Sequence, residues 1–444
     1  MRKEPFFLLL GDLVLFVASL WLALFVRYGS PPQGEIFREH LAPFSILFGL
    51  SVLVFFIAGL YEKHTSLLKG KLPQIILRAQ AANIALAVVF FYTIPYLEIA
   101  PKITLFIYLV FSIILTLWWR MKGFFVLGKR RKQRSILIGS GEEMEELLRE
   151  VNGNARYPMY FVSSLNLDDI SRVEFRKDIL GPVHDKNVSI IVIDTRSEKI
   201  IPVLPHLYNL IFSEIRFIDI NRVYEDIFDR VPLSLLRYNW FLENISFLPK
   251  RLYDFSKRAM DIVLSLFLGS LSLLIYPLII LALKLDDGGP IFFVQERVGR
   301  GNSILKIIKF RSMRTPDATK EISPSDAITR VGKFLRKSRL DELPQLWNVL
   351  KGDLSLIGPR PELPPLVALY EKEIPYYNIR HLLKPGLSGW AQLYHETPPK
   401  FDAHYEHTKT KLSYDLYYLK NRSFILDLKI VLRTLKVLLS RSGV

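Results

Sequence analysis

Asp341 and Glu342 stand side by side in SRLDELPQLWNVLKGDLSLIGPRPE, the run from Ser338 to Glu362. Arg336 and Arg339 lie just upstream, and Arg360 is held between Pro359 and Pro361. Guanidinium groups match phosphate oxygens in pairs, and the fixed φ of the two prolines limits the backbone that presents Arg360. Two adjacent carboxylates among arginines suit phosphoryl transfer, in which one acid attacks phosphorus while its neighbour holds a divalent ion. Hard oxygen ligands point to Mg2+, with Mn2+ as the alternative. A plainer account also exists. Leu343 precedes a proline and is pushed away from helical angles, Pro344 suits a first helical position, and a short helix from Pro344 to Leu350 would stop at Gly352. Both acids would then sit ionised before a helix N-terminus and merely cap it, and Ser338 with Asp341 has the capping-box spacing. The surrounding arginines and a nearby membrane segment favour the chemical reading.

The elements that must position these residues begin with a membrane anchor. Half of the 444 residues are hydrophobic, more than a soluble globular chain needs. Four apolar stretches, roughly 5–26, 42–61, 81–97 and 103–119, each approach the length of a membrane-crossing helix. The first lacks a small-residue cleavage site and reads as a retained helix. Lys63, Lys69, Lys71 and Arg78 crowd the link between helices two and three, and Arg120, Lys122, Lys129, Arg130, Arg131, Lys132 and Arg134 follow helix four. The positive-inside rule places both ends of this bundle in the cytoplasm. The net charge of +16 implies an anionic partner: nucleic acid, acidic lipid or a phosphorylated substrate. Nucleic acid fits poorly, because the basic residues cluster beside membrane runs rather than among exposed aromatics. The absence of cysteine excludes disulfides, thiolate nucleophiles and cysteine-ligated metals.

RSILIGSGEE, VSIIVIDTRS and EIRFIDI read as strands of a Rossmann-like α/β domain over 133–249. Gly139 and Gly141 start a dinucleotide fingerprint, but Met144 stands at its third glycine, and Glu142 and Glu143 would repel a pyrophosphate, so no cofactor is expected there. A fifth apolar run carries no charge between Asp261 and Lys284 and contains Pro277, so a helix break is expected near it, with a serine hydroxyl serving the freed carbonyl of Leu273. A kinked crossing and a re-entrant hairpin are both open on composition. The basic residues on either side favour re-entry, with Lys257, Arg258 and Asp261 at the interface where lipid phosphates lie. A β-hairpin turning at residues 299–302 follows, its basic side chains read mostly as a solvated face, and a terminal helix suits either a membrane surface or the domain core. His404 and His407 have metal-pair spacing without a third ligand, and the Tyr-x-x-x-Lys matches at Tyr253 and Tyr405 lack the strand context of a dehydrogenase.

The motifs GGPIFFVQERVGRGN, KFRSM, LRKSRLDELPQLWNVLKGDLSLIGPRPE and KPGLSGWAQ resemble the bacterial sugar transferases known as monotopic phosphoglycosyl transferases. With four leading helices and a Rossmann-like middle, the whole chain is similar to the large members, the undecaprenyl-phosphate galactose or glucose phosphotransferases. The resemblance implies a four-helix transmembrane bundle (1–128), the α/β domain (133–249), and an α/β catalytic domain (250–444) anchored by a re-entrant membrane helix (258–284). It further implies transfer of a hexose 1-phosphate from a UDP-sugar to undecaprenyl phosphate by a ping-pong route. Asp341 would be the nucleophile, Glu342 the magnesium ligand, Arg336 and Arg360 with Pro359 and Pro361 the phosphate site, and Lys257, Arg258, Asp261 and Pro277 the membrane-interface group. Where small family members carry Ser-Pro at the break, this chain has Tyr276-Pro277. The expected setting is the cytoplasmic face of the bacterial inner membrane, in exopolysaccharide or O-antigen assembly, with a homodimer or simple anchoring as the role of the leading helices. The rival readings are a silent membrane scaffold, and an enzyme whose middle domain senses a nucleotide sugar.

Overall fold

The computed structural model describes residues 4–61, 72–93, 102–123, 132–154, 157–168, 181, 183, 187–213, 215–245, 250–314, 328–394 and 405–439. Lys63, Lys69, Lys71, Lys129, Arg130, Arg131 and His404 lie outside these residues, so the readings placed on them are not addressed. The chain forms two compact units. One comprises Met1–Ser135, Leu148–Ser163 and Gly181–Ser189, and the other comprises Ile136–Leu147, Ser164–Leu180 and Ile190–Val444.

The first unit holds four helices, Glu4–Tyr28, Gly34–Ile57, Leu72–Thr93 and Lys102–Trp118, each with a stretch long and apolar enough to cross a membrane. The third starts earlier than the apolar pattern indicates, so Arg78 is an exposed helical residue rather than part of a link. Arg120 is not a free linker charge either. It is buried against Asp12, donates at 2.6 Å to the carbonyl of Leu60, and lies over the Tyr61 ring. Tyr61 in turn donates to Asp12 at 2.8 Å. A carboxylate and a guanidinium within candidate membrane spans must be paired and hydrogen-bonded, and here the pair ties the first helix to the segments that directly follow the second and fourth.

A four-stranded sheet follows, with β1 (Gln133–Gly139), β2 (Met159–Asn166), β3 (Ile190–Ile193) and β4 (Arg216–Asp219) in the order β2-β1-β3-β4 and β3 parallel to β4. The fully buried run of β3 is what a parallel strand covered on both faces requires. Asp219 caps the helix Ile220–Phe228, accepting from the amides of Asn221 and Arg222. Val231, Leu236 and Trp240, just beyond that helix, pack in one core with Val298, Val367, Tyr370, Leu412 and Leu416. That core therefore joins residues before 250 to the hairpin and the helices beyond it.

The long apolar run forms two helices, Arg251–Leu273 and Tyr276–Asp287, bent by 55°. The break falls at residues 274–275, with Pro277 in the first turn of the second helix, where its missing N–H costs nothing. The serine contact differs from expectation: Ser272 donates at 2.6 Å to the carbonyl of Gly269, not to that of Leu273. Beyond the pair, β5 (Phe292–Val298) and β6 (Ile304–Phe310) form the expected antiparallel hairpin, turning through Arg300–Asn302. β7 (Ser355–Ile357) and β8 (Gly386–Ser388) pair in parallel. The terminal helix Phe424–Leu439 packs on the core through Asp427 and Ile430, both fully buried, while Ile425 on its other side is exposed.

Candidate active site

Asp341 and Glu342 occupy a 3-10 turn, Leu340–Glu342, between the helices Arg330–Ser338 and Gln345–Lys351. Thr329 caps the first of these through the amide of Gly332. Ser338 takes no part in capping Asp341: its hydroxyl donates backward to the carbonyls of Phe334 and Leu335. Arg339, with φ of 58°, ends that helix in a left-handed turn, which redirects the chain into the acidic pair. Leu343 is helical (φ −54°, ψ −39°) despite preceding Pro344, because the 3-10 turn runs directly into the next helix. That helix starts one residue later than expected, at Gln345, and stops at Gly352, whose φ is 96°.

The two acids have opposite surroundings. Asp341 is 8% exposed, and its Oδ1 has no hydrogen-bond partner. Burial, and then the charge of Glu342, push its carboxyl up to about 6, against the pull of Lys309, Arg336 and Arg339. At neutral pH it is still mostly ionised and weakly solvated, as a nucleophile should be. For Glu342, burial acts upward, but Arg360, Lys309 and Arg339 overcome it and hold the carboxyl below its ordinary value. Its Oε1 lies 3.4 Å from Arg360 and 3.7 Å from Arg339.

Glu342 and Arg360 share a cleft with Arg297, Ile307, Lys309, Gln345, Pro361, Gly386 and Leu387. Arg297 and Lys309 correct the expectation that the hairpin's charges form a solvated face. Cross-strand pairing of Gln295 with Ile307, Arg297 with Leu305, and Phe293 with Lys309 puts both cations on the side that carries Leu305 and Ile307. The period of two in ILKIIKF holds that signal, since Leu305, Ile307 and Lys309 must share a face. Burial lowers the pKa of both cations, and Arg360 adds to the effect. The cleft thus holds cations in excess of its acids, an arrangement that favours an entering polyanion.

Four successive carbonyls fix the loop that carries Arg360. Those of Pro359, Arg360, Pro361 and Glu362 accept from the amide of Gly386, Nη2 of Arg380, Nη1 of Arg297 and the amide of Val298, at 2.9, 3.1, 3.3 and 2.9 Å. Arg380 is itself held by Asp415 at 2.7 Å, both side chains at most 3% exposed, and by the Tyr377 hydroxyl. Glycine is required where the loop meets β8. A Cβ on Gly386 would lie 2.1 Å from the amide of Gly358, and one on Gly389 would lie 2.3 Å from the carbonyl of Gly358.

Arg336 is exposed at the end of its helix and reaches the site only through its charge. Lys257, Arg258 and Asp261 face the folded domain. Lys257 pairs with Asp427 at 3.2 Å and donates to the carbonyl of Ile357, Arg258 binds the carbonyls of Val349 and Leu350, and Asp261 accepts from the amide of Leu356. These contacts lock the first helix of the bent pair to the C-terminal end of the helix that follows Asp341, to β7 and to the terminal helix. Tyr253 shares the Asp427 contact, and Lys409 pairs with Glu406, so both Tyr-x-x-x-Lys matches have local structural partners.

Among the described residues no group of three or more His, Asp or Glu could hold a metal alone. One carboxylate completed by substrate phosphates and waters is a usual magnesium arrangement, and Glu342, held ionised at the wall of the cleft, fits such a donor set.

Residues 252–441 match the family model described as bacterial sugar transferase. Over 228 residues the chain is 41% identical to the UDP-N-acetylgalactosamine-undecaprenyl-phosphate N-acetylgalactosaminephosphotransferase of Aeromonas hydrophila, covering 50% of this chain and 52% of that protein. The UDP-glucose:undecaprenyl-phosphate glucose-1-phosphate transferase of Caulobacter vibrioides is 39% identical over 197 residues, covering 44% of this chain and 73% of that protein. Its Escherichia coli namesake is 38% identical over 182 residues, 40% of this chain and 39% of that protein. The chain thus spans about half the length of the Aeromonas relative.

Proposed function

The chain belongs to the bacterial sugar transferase family, and from that premise we propose that it moves a hexose 1-phosphate from a UDP-sugar to undecaprenyl phosphate, releasing UMP. The observation that carries the proposal is the buried, unpartnered Asp341 oxygen, one residue before Glu342, which lines a cleft with Arg297, Lys309 and Arg360. In the first step an Asp341 oxygen attacks the sugar-bearing phosphorus. A bond forms between them, the bond from that phosphorus to the bridging oxygen breaks, and UMP leaves with that oxygen. In the second step a phosphate oxygen of undecaprenyl phosphate attacks the same phosphorus and frees the carboxylate, giving the polyprenyl diphosphate sugar. Arg297, Lys309 and Arg360 hold the diphosphate and offset its charge, while Pro359 and Pro361 keep Arg360 aimed. Glu342 would hold Mg2+, which would neutralise charge on the phosphates.

The bent helix pair is read as a re-entrant anchor that enters and leaves on the cytoplasmic face of the inner membrane. Pro277 and the 55° bend support that reading, and Lys257, Arg258 and Asp261 brace the anchor to the domain. The middle sheet is read as a Rossmann-like domain without a dinucleotide: Glu143, beside the glycine turn, accepts from the amide and hydroxyl of Ser234. The product would feed surface polysaccharide assembly as its first membrane step. The deciding experiment offers the purified chain undecaprenyl phosphate and a panel of UDP-glucose, UDP-galactose and their N-acetylated counterparts. UMP and lipid-linked sugar are expected from one or a few donors, and no UMP from any of them would leave the silent-scaffold reading standing.

A further inference from the structure

Gln345 and Asn348 lie one turn apart on the helix that follows Asp341, and their amides are used differently. Asn348 donates at 2.8 Å to the carbonyl of Lys306 and accepts at 3.2 Å from the amide of Ile308, which fastens the helix to β6. Gln345 is 5% exposed and lines the cleft, yet its Nε2 has no partner. A buried donor left unpaired costs free energy in the folded chain, and at the wall of a polar cleft a ligand atom is a partner it would gain. It follows Asp341 by four residues, and the Asp341 Oδ1 is likewise unpartnered. Arg297, Lys309 and Arg360 also line this cleft, so charge is already supplied there. A neutral donor one turn along the chain from the attacking carboxylate can bind a phosphoryl oxygen without tying that carboxylate up in an ion pair.

We propose that Gln345 is a substrate-contacting catalytic residue whose side-chain amide donates to a non-bridging oxygen of the transferred phosphoryl group as Asp341 attacks. The proposal rests on the reaction described above. It assigns the amide a use only when substrate is present, so the folded chain alone should not miss it.

The test uses the full chain in detergent with UDP-sugar and no lipid acceptor, and reads the rate of sugar-phosphate attachment by rapid quench together with the thermal midpoint. Gln345→Leu should slow attachment about a hundredfold or more, the usual loss for one oxyanion donor, with a midpoint equal to or above that of the wild type. Gln345→Glu, similar in shape but lacking the donor, should be at least as slow. A leucine variant that attaches sugar phosphate at the wild-type rate overturns the assignment. So does a leucine variant whose midpoint falls by more than about 5 °C, since the amide would then be serving the fold. If the wild type itself attaches nothing, the reaction proposed for Asp341 fails before any Gln345 variant is made, and the Gln345 assignment falls with it.

Discussion

Asp341 and Glu342 are adjacent in the chain yet titrate in opposite directions. Burial pushes Asp341 up to about 6, while Arg360, Lys309 and Arg339 hold Glu342 down. Sequence alone, reading both as helix-capping acids, makes them equivalent and ionised; the difference comes from which acid the folded cations reach. An acid raised in the folded state binds its proton more tightly there than in the unfolded chain, so its ionisation lowers stability as pH rises from about 4 through 6. Asp341→Asn should therefore stabilise the protein by on the order of 1–3 kcal/mol at pH 8, and the gain should vanish below about pH 4. Thermal unfolding of both proteins across that range checks it. An Asn variant less stable than wild type at pH 8 would mean that the carboxylate is a structural cap after all. The rate of the first half-reaction should rise with pH through about 6 and then level off.

The elements were legible to different degrees. The hairpin, its turn, the helix after the acidic pair and its glycine stop follow from local turn and capping chemistry, and the structure bears them out. The angles of Leu343 and the role of Ser338 did not follow, because a 3-10 turn lets both neighbouring helices continue through positions that local preference would break. The partners of Arg380 and Asp415, 35 residues apart, carry no short-range signal at all. The same is true of the loop around Arg360, whose geometry depends on close approach to β8. Gly386→Ala tests that dependence, because its Cβ would meet backbone rather than a movable side chain. Loss of more than about 2 kcal/mol of stability together with loss of activity is expected, and a variant with wild-type unfolding and turnover would show that the loop can shift freely.

Across the whole molecule, the core that packs the start of the hairpin against the helices after Leu363 reaches back into residues that the family model does not cover. Trp240 is buried with Val367, Tyr370 and Leu412 and lies under Lys420, while the indole of Trp390 donates to the carbonyl of Asp229. Trp240→Ala in the full chain should cost about 3–5 kcal/mol, seen as a lowered unfolding midpoint, whereas a core complete from residue 250 onward would be barely affected. The anchoring, the cleft and its borrowed core serve one claim, that Asp341 carries the sugar phosphate between donor and lipid. Intact mass measurement of the full chain incubated with UDP-sugar alone tests it most directly. One hexose phosphate is expected on the wild type, with one UMP released per chain, and no addition to Asp341→Asn. An unmodified wild type that releases UMP only when undecaprenyl phosphate is also present would contradict it.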